Sequence, residues 1–289
     1  MVEAAESQNM GELAELKKNE GNAALKAGKV DEAIRLYSAA IELQQSEGMF
    51  TNRAVAYIKQ RKYEEALRDC KQALFLNNGF AKAHARAYAC HLALGDLESA
   101  KQSIEAACSL GDQSLADKLP YVAELERYEG FVAQAMERKE YREALFYASK
   151  LVENCVDSIK HLVKKIEAQI LYTPGDMTEA IRFTTAVQEK FIGNAQFLFW
   201  RGRVLIYNGQ VDVGKKHVRQ ALNIDVDNAT IMRYWKGLQN AEGLKNSAAH
   251  AFKENHLEVA VGLYGQCLEF DPLNCAYNQS ILFNRASAF

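Results

Sequence analysis

Seven stretches of the chain can be written one beneath another without a gap, and this self-similarity limits the fold more than any other feature. They are GKVDEAIRLYSAAIEL from Gly28, RKYEEALRDCKQALFL from Arg61, GDLESAKQSIEAACSL from Gly95, KEYREALFYASKLVEN from Lys139, GDMTEAIRFTTAVQEK from Gly175, GQVDVGKKHVRQALNI from Gly209 and NHLEVAVGLYGQCLEF from Asn255. Their starts lie 33, 34, 44, 36, 34 and 46 residues apart. A unit of about 34 residues is one helix–turn–helix, too small to bury its own apolar face, so neighbours must stack on one another.

Each position has a physical task. A turn opens the segment, and a large apolar residue follows two places on: Val30, Tyr63, Leu97, Tyr141, Met177, Val211 and Leu257. Five places after the start stands a small residue (Ala33, Ala66, Ala100, Ala144, Ala180, Gly214, Ala260), which lets the second helix approach the first. Apolar residues four and seven further on, such as Tyr37 and Ala40, continue that face. Upstream of each segment lies the first helix, as in LKKNEGNAALKA, FTNRAVAYIKQ and WRGRVLIYNG. Only three prolines occur, where ordinary usage gives roughly 14, so little interrupts a helix. The period and pattern resemble the tetratricopeptide repeat. The resemblance implies an all-α fold, a right-handed superhelical solenoid of antiparallel helix pairs whose first helices line a concave groove.

The two long spacings hold about ten extra residues each, at GDQSLADKLPYVAELERYEG and DVDNATIMRYWKGLQNAEG. Both predict extra or lengthened helices, with Pro120 in a first turn and Asn228 as an N-cap. They divide the array into a first set of three repeats (1–112), a diverged middle set of three (113–227), and a linker helix with the start of a third set (228–289). The last residues, NQSILFNRASAF, read as a first helix with no partner. Solenoids need polar capping helices, so the expectation is a truncated chain.

Composition and motifs exclude several functions. Lys+Arg 35 against Asp+Glu 37 gives a net charge of −2, which argues against nucleic acid or a polybasic membrane surface as partner. The N-terminus MVEAAESQNM has neither the basic nor the apolar region of a signal peptide. No apolar run reaches the length of a membrane span; AQFLFWRGRVLIY is broken by Arg201 and Arg203. The six cysteines have no CxxC spacing and read as buried free thiols of a cytoplasmic protein, without disulfide or metal. The six histidines form no metal-ligand pattern, and His84 reads as a surface residue. Trp200 and Trp235 read as packing residues. GxSxG, P-loop and GxGxxG patterns are missing, so the expectation is no enzyme and no cofactor.

One polar set stands out. Lys18 and Asn22 share a face of the first helix, Asn52 lies on the next first helix, and Lys82 and Arg86 share a face of the third. Three cations and two amides converging from neighbouring helices make an anion receptor, best fitted by two close carboxylates such as those of a C-terminal Asp. K-x-x-x-N, then N in NR, then K-x-x-x-R resembles the two-carboxylate clamp of tetratricopeptide co-chaperones. That resemblance implies a peptide-binding adaptor that holds the C-terminal EEVD tail of Hsp70 and/or Hsp90, with Leu25, Val55 and Lys59 lining the groove beside it. The larger layout resembles the DnaJ-type tetratricopeptide co-chaperones, although no HPD motif, and so no J domain, is present. A second clamp-like series keeps Lys245 and Asn284 but has Ala249 where the family has Asn, and reads as incomplete. The alternative is a general scaffold whose groove takes an internal helix or another protein, a task the middle repeats can share in either case.

Overall fold

The computed structural model describes the backbone of residues 2–289 and the side chains of residues 9–289; the side chains of most of the MVEAAESQNM segment lie outside the described residues. Among the described residues there is no strand. Helix pairs follow the repeat register. They are α1 (Val2–Lys26) with α2 (Val30–Leu43), α3 (Glu47–Lys59) with α4 (Tyr63–Leu76), and α5 (Ala81–Leu94) with α6 (Leu97–Ser109). A 3-10 turn, Gln113–Lys118, leads into α7 (Leu119–Glu137) and α8 (Tyr141–Asn154). Next come α9 (Ile159–Tyr172) with α10 (Thr178–Ala186) and the short α11 (Gln188–Phe191), then α12 (Ala195–Tyr207) with α13 (Val211–Ile224). The chain ends with α14 (Ala229–Lys253), α15 (Leu257–Leu268) and α16 (Cys275–Ser287). Two compact units result, Met1–Phe131 with Lys150–Ser158, and Val132–Ser149 with Ile159–Phe289.

The register is visible in the backbone. The segment starts Gly28, Gly95 and Gly209 have φ of 78°, 79° and 81°, and Arg61, Lys139 and Asn255 occupy the same place at 60°, 62° and 63°. A left-handed residue is what turns one helix back onto the next, and it costs a side-chain-bearing residue about 1 kcal/mol or more. Five places on, Ala33, Ala66, Ala100, Ala144 and Ala260 are fully buried, and Ala180 nearly so. The α12–α13 crossing is tight: a Cβ on Gly214 would lie 2.5 Å from the Gly202 carbonyl oxygen.

Both long spacings are helical, as their sequences predict. Pro120 lies in the first turn of α7. Asn228 caps α14, its Oδ1 accepting from the Thr230 and Ile231 amides at 3.2 Å. In the fifth pair the second helix breaks at Val187, between α10 and α11. The cysteines Cys70, Cys90, Cys155 and Cys267 are buried free thiols, whereas Cys108 is half-buried and Cys275 exposed.

Candidate functional site

The site in the first unit grows from a close contact between α1 and α2. A Cβ on Gly21 would fall 2.7 Å from the Tyr37 ring, so glycine there lets Tyr37 lie against the α1 backbone. Tyr37 is wholly buried, and its hydroxyl donates to Asn22 Oδ1 at 2.8 Å. Asn52 Nδ2, on α3, donates to the same oxygen at 3.0 Å. The Asn22 carbonyl is therefore engaged by two donors, and its NH2 group, which makes no hydrogen bond among the described residues, keeps both donors for a ligand. This pair of bonds joins α1, α2 and α3 at one polar point.

Of the cations singled out, Lys18 is on α1 and Lys82 and Arg86 are on α5, two helices that each pack against α3. Lys18, one turn before Asn22, is half-buried, and its Nζ lies 2.5 Å from Glu15 Oε2. None of the five singled-out positions is itself acidic, but Glu15 supplies Lys18 with a carboxylate from the same helix, which the sequence reading did not include. Lys82 and Arg86 on α5 are exposed and form no ion pair among the described residues. Asp112, at the start of the 3-10 turn, is held below the usual carboxylate range by bonds from Ser114, with a smaller pull from Arg86. Leu25 packs against the cluster of Ala24, Ala33, Tyr37 and Ala56. Val55 is half-buried, and Lys59 is exposed.

Arg53, next to Asn52, points elsewhere. Its Nε and Nη2 donate to Asp69 Oδ2 and Oδ1 at 2.8 and 2.7 Å, and its Nη1 donates to Ser38 Oγ at 2.9 Å. The bidentate bond to Asp69 raises its affinity for the proton. Arg53 thus ties α3 to α2 and α4, while its neighbour Asn52 bonds Asn22 on α1. His84 lies on the opposite side of α5, in a cleft shared with residues of α4 and α6 such as Lys71 and Gln102. In the same cleft His91 sits 3.4 Å from Asp96, and burial pushes its pKa below the ordinary histidine value despite that carboxylate. The Cys70 thiol is pushed far up by a bond with Cys90 and by burial, which leaves it inert as a nucleophile.

The second unit treats its polar groups differently. Lys245 Nζ donates to Ser280 Oγ at 3.3 Å and lies 5.9 Å from the Tyr277 ring centroid, while Asn284 is half-buried one turn beyond Ser280 on α16. Ala249 gives that unit no counterpart to the Asn22 amide. At the place of Asn22 in its repeat, six residues before the turn, α12 has Arg203. Arg203 is closed in by Trp200, Tyr207 and Tyr234 at 4.7, 5.6 and 5.2 Å, with Asp271 at 3.9 Å. Tyr207 donates to Asp271 at 2.6 Å, and burial pushes the Asp271 carboxyl up. This cation has its opposite charge within the protein, although its Nε is buried without a hydrogen-bond partner. Trp200 and Trp235 pack against the apolar cluster of α12, α13 and α14, as the sequence predicts.

Sequence reasoning singled out five clamp-like positions and missed the Tyr37 bridge, the Glu15 pairing and the Arg203–Asp271 cluster. The signal for Tyr37 was present: GN in α1 pairs a missing side chain with a polar one, beneath a tyrosine on the next helix. Asp271 lies 68 residues from Arg203, and no local spacing links them. Among the described residues, no group of three metal-ligating side chains occurs, and no helix is long and apolar enough to cross a membrane.

A family model described as tetratricopeptide repeat matches residues 49–80. Human DnaJ homolog subfamily C member 7 is 25% identical over 288 residues, covering 99% of this chain and 58% of that protein. RNA polymerase II-associated protein 3 of Xenopus tropicalis is 42% identical over 95 residues, covering 32% of this chain and 14% of that protein. The chain therefore spans little more than half the length of the DnaJ relative it matches almost end to end. Among solved structures, the P58(IPK) TPR domain superposes with a TM-score of 0.68 at 19% identity, covering 96% of this chain and 78% of that one. The fold is a tetratricopeptide-repeat solenoid, and the chain is similar to a DnaJ-type protein throughout.

Proposed function

We propose that the first three helix pairs bind a peptide ending in adjacent carboxylates, the C-terminal EEVD tail of Hsp70 and/or Hsp90, and that the chain serves as a co-chaperone adaptor. The observation that carries this reading is the double hydrogen bond on Asn22 Oδ1 from Tyr37 and Asn52. It fixes one amide so that its N–H donors are left for an anion, on the helix that also carries Lys18; Lys82 and Arg86 are on α5, which packs against α3 as α1 does. A terminal α-carboxylate fits the amides and Lys18. The acidic side chain of the same residue fits Lys82 and Arg86. Leu25 and Val55 supply the apolar wall, and Lys59 supplies a further cation, for residues upstream in the tail. The similarity to a DnaJ homolog supports a chaperone as the source of that tail.

Each charge-assisted bond contributes about 1.5–3 kcal/mol before desolvation and ordering of the tail. The net affinity is micromolar, about −8 kcal/mol. The test is a fluorescence anisotropy titration with a labelled peptide ending in EEVD. Arg86→Ala and Lys82→Ala are each expected to weaken binding roughly tenfold, by loss of one charge-assisted bond, and Lys59→Ala about twofold. Affinity should also fall as salt rises. Unchanged affinity in both the Arg86 and Lys82 variants would overturn the reading.

A further inference from the structure

Arg201 occupies the same place in its repeat as Arg53, eight residues before the turn. Its surroundings differ. It is 8% exposed, its Nη1 donates to the hydroxyls of Thr184 at 3.0 Å and Thr185 at 3.3 Å, and its Nε is buried without a partner. Where Arg53 meets Asp69, eight residues after its turn, the second unit has His217. Among the described residues Arg201 has no carboxylate within ion-pair distance. A guanidinium this buried and held only by hydroxyls has lost most of its hydration and gained no opposite charge.

Of the two hydroxyls that meet it, Thr184 is wholly buried and Thr185 is exposed. Thr185 sits in the last turn of α10, two residues before the helix breaks at Val187. Arg182, three residues earlier and largely exposed, adds the kind of charge that kinase clefts read on their substrates. We propose that Thr185 is a phosphorylation site and that Arg201 receives its phosphate. In the transfer, Thr185 Oγ1 attacks the γ-phosphorus of a nucleoside triphosphate held by a protein kinase. The new O–P bond replaces the bond to the β-phosphate oxygen; the nucleoside diphosphate leaves and the hydroxyl proton is released. The product carries nearly two negative charges against a cation that lacked one, and bonds the end of α10 to α12. Near a helix C-terminus a phosphate is otherwise disfavoured, so Arg201 decides the sign of the effect.

The experiment installs phosphothreonine at position 185 of the full chain by genetic encoding, and phosphoserine at Ser109, also at a helix end, as the comparison. Phosphorus NMR then follows each phosphate through its second ionisation. The expected result is an ionisation near the ordinary value of about 6 at Ser109, and about one pH unit lower at 185. The shift at 185 should persist with Arg182→Ala and disappear with Arg201→Met, and the phosphorylated chain should melt higher than the unmodified one. An ionisation at 185 no lower than at Ser109 would overturn the proposal without any Arg201 variant having to fold. A shift that survives Arg201→Met in a folded protein, or that vanishes with Arg182→Ala alone, would overturn it as well.

Discussion

Arg53 on α3 and Arg201 on α12 stand at the same place in two repeats, one in each unit, and each reaches a hydroxyl of the preceding second helix, Ser38 or Thr184. Arg53 also grips Asp69 with the edge formed by Nε and Nη2, whereas Nε of Arg201 is buried with nothing to bond. The repeat register therefore fixes where a side chain goes, and only the local partner decides what it contributes. In the first unit the paired arginine is a tie between α3, α2 and α4. In the second it is a buried charge that costs stability until something negative arrives.

Several substitutions would break or sharpen this contrast. The largest effect is expected from Arg53→Met, which strands Asp69 without its cation and should cost about 3 kcal/mol in urea unfolding. Arg201→Met should cost less than about 1 kcal/mol, or stabilise, because no carboxylate is left behind. Equal losses in the two variants would remove the contrast. His217→Asp places a carboxylate where Asp69 stands in the first unit and should stabilise the second unit by about 1 kcal/mol, seen as slower amide exchange in α12 and α13. Arg61→Gly, relieving a left-handed residue at a turn, should add roughly 0.5 kcal/mol to the first unit alone.

The smallest expected effect is a difference in pH dependence. His91, in the first unit, has a folded pKa below its unfolded value, so the unfolded chain binds the proton more readily. The first unit should lose stability as pH falls from about 6.5 through the folded value. Asp271, in the second unit, has a folded pKa above its unfolded value, so its ionisation costs stability. That cost should grow as pH rises from about 3.9 through the folded value, and vanish below that window. Amide exchange mapped to each unit over this range should show opposite slopes, and His91→Gln and Asp271→Asn should each flatten the slope of their own unit.

Much of this was legible in the sequence because a repeat states each position several times. The turn residues, the small residue five places on and the apolar second residue gave the helix pairs and their register. The five clamp-like positions could be singled out because first helices in a solenoid expose matching faces. What escaped were interactions that depend on rotamers or on distant residues. Lys18 can turn to Glu15 within its own helix or outward to a ligand, and spacing does not choose. Asp271 meets Tyr207 because the chain after the long α14, about three turns longer than its neighbours, returns to α12. Cys275 reads like the other cysteines in an apolar stretch, yet it begins α16 and faces solvent.

The proposed hold of Asn22, Asn52, Lys18, Lys82 and Arg86 on a chaperone's last residue depends on that residue's free carboxylates. Calorimetric titration of the whole chain with two forms of one EEVD peptide, free acid and C-terminal amide, tests it most directly. The account predicts micromolar binding of the acid and a loss of at least about tenfold on amidation, the equivalent of one charge-assisted bond. Equal affinity for the two forms would contradict it.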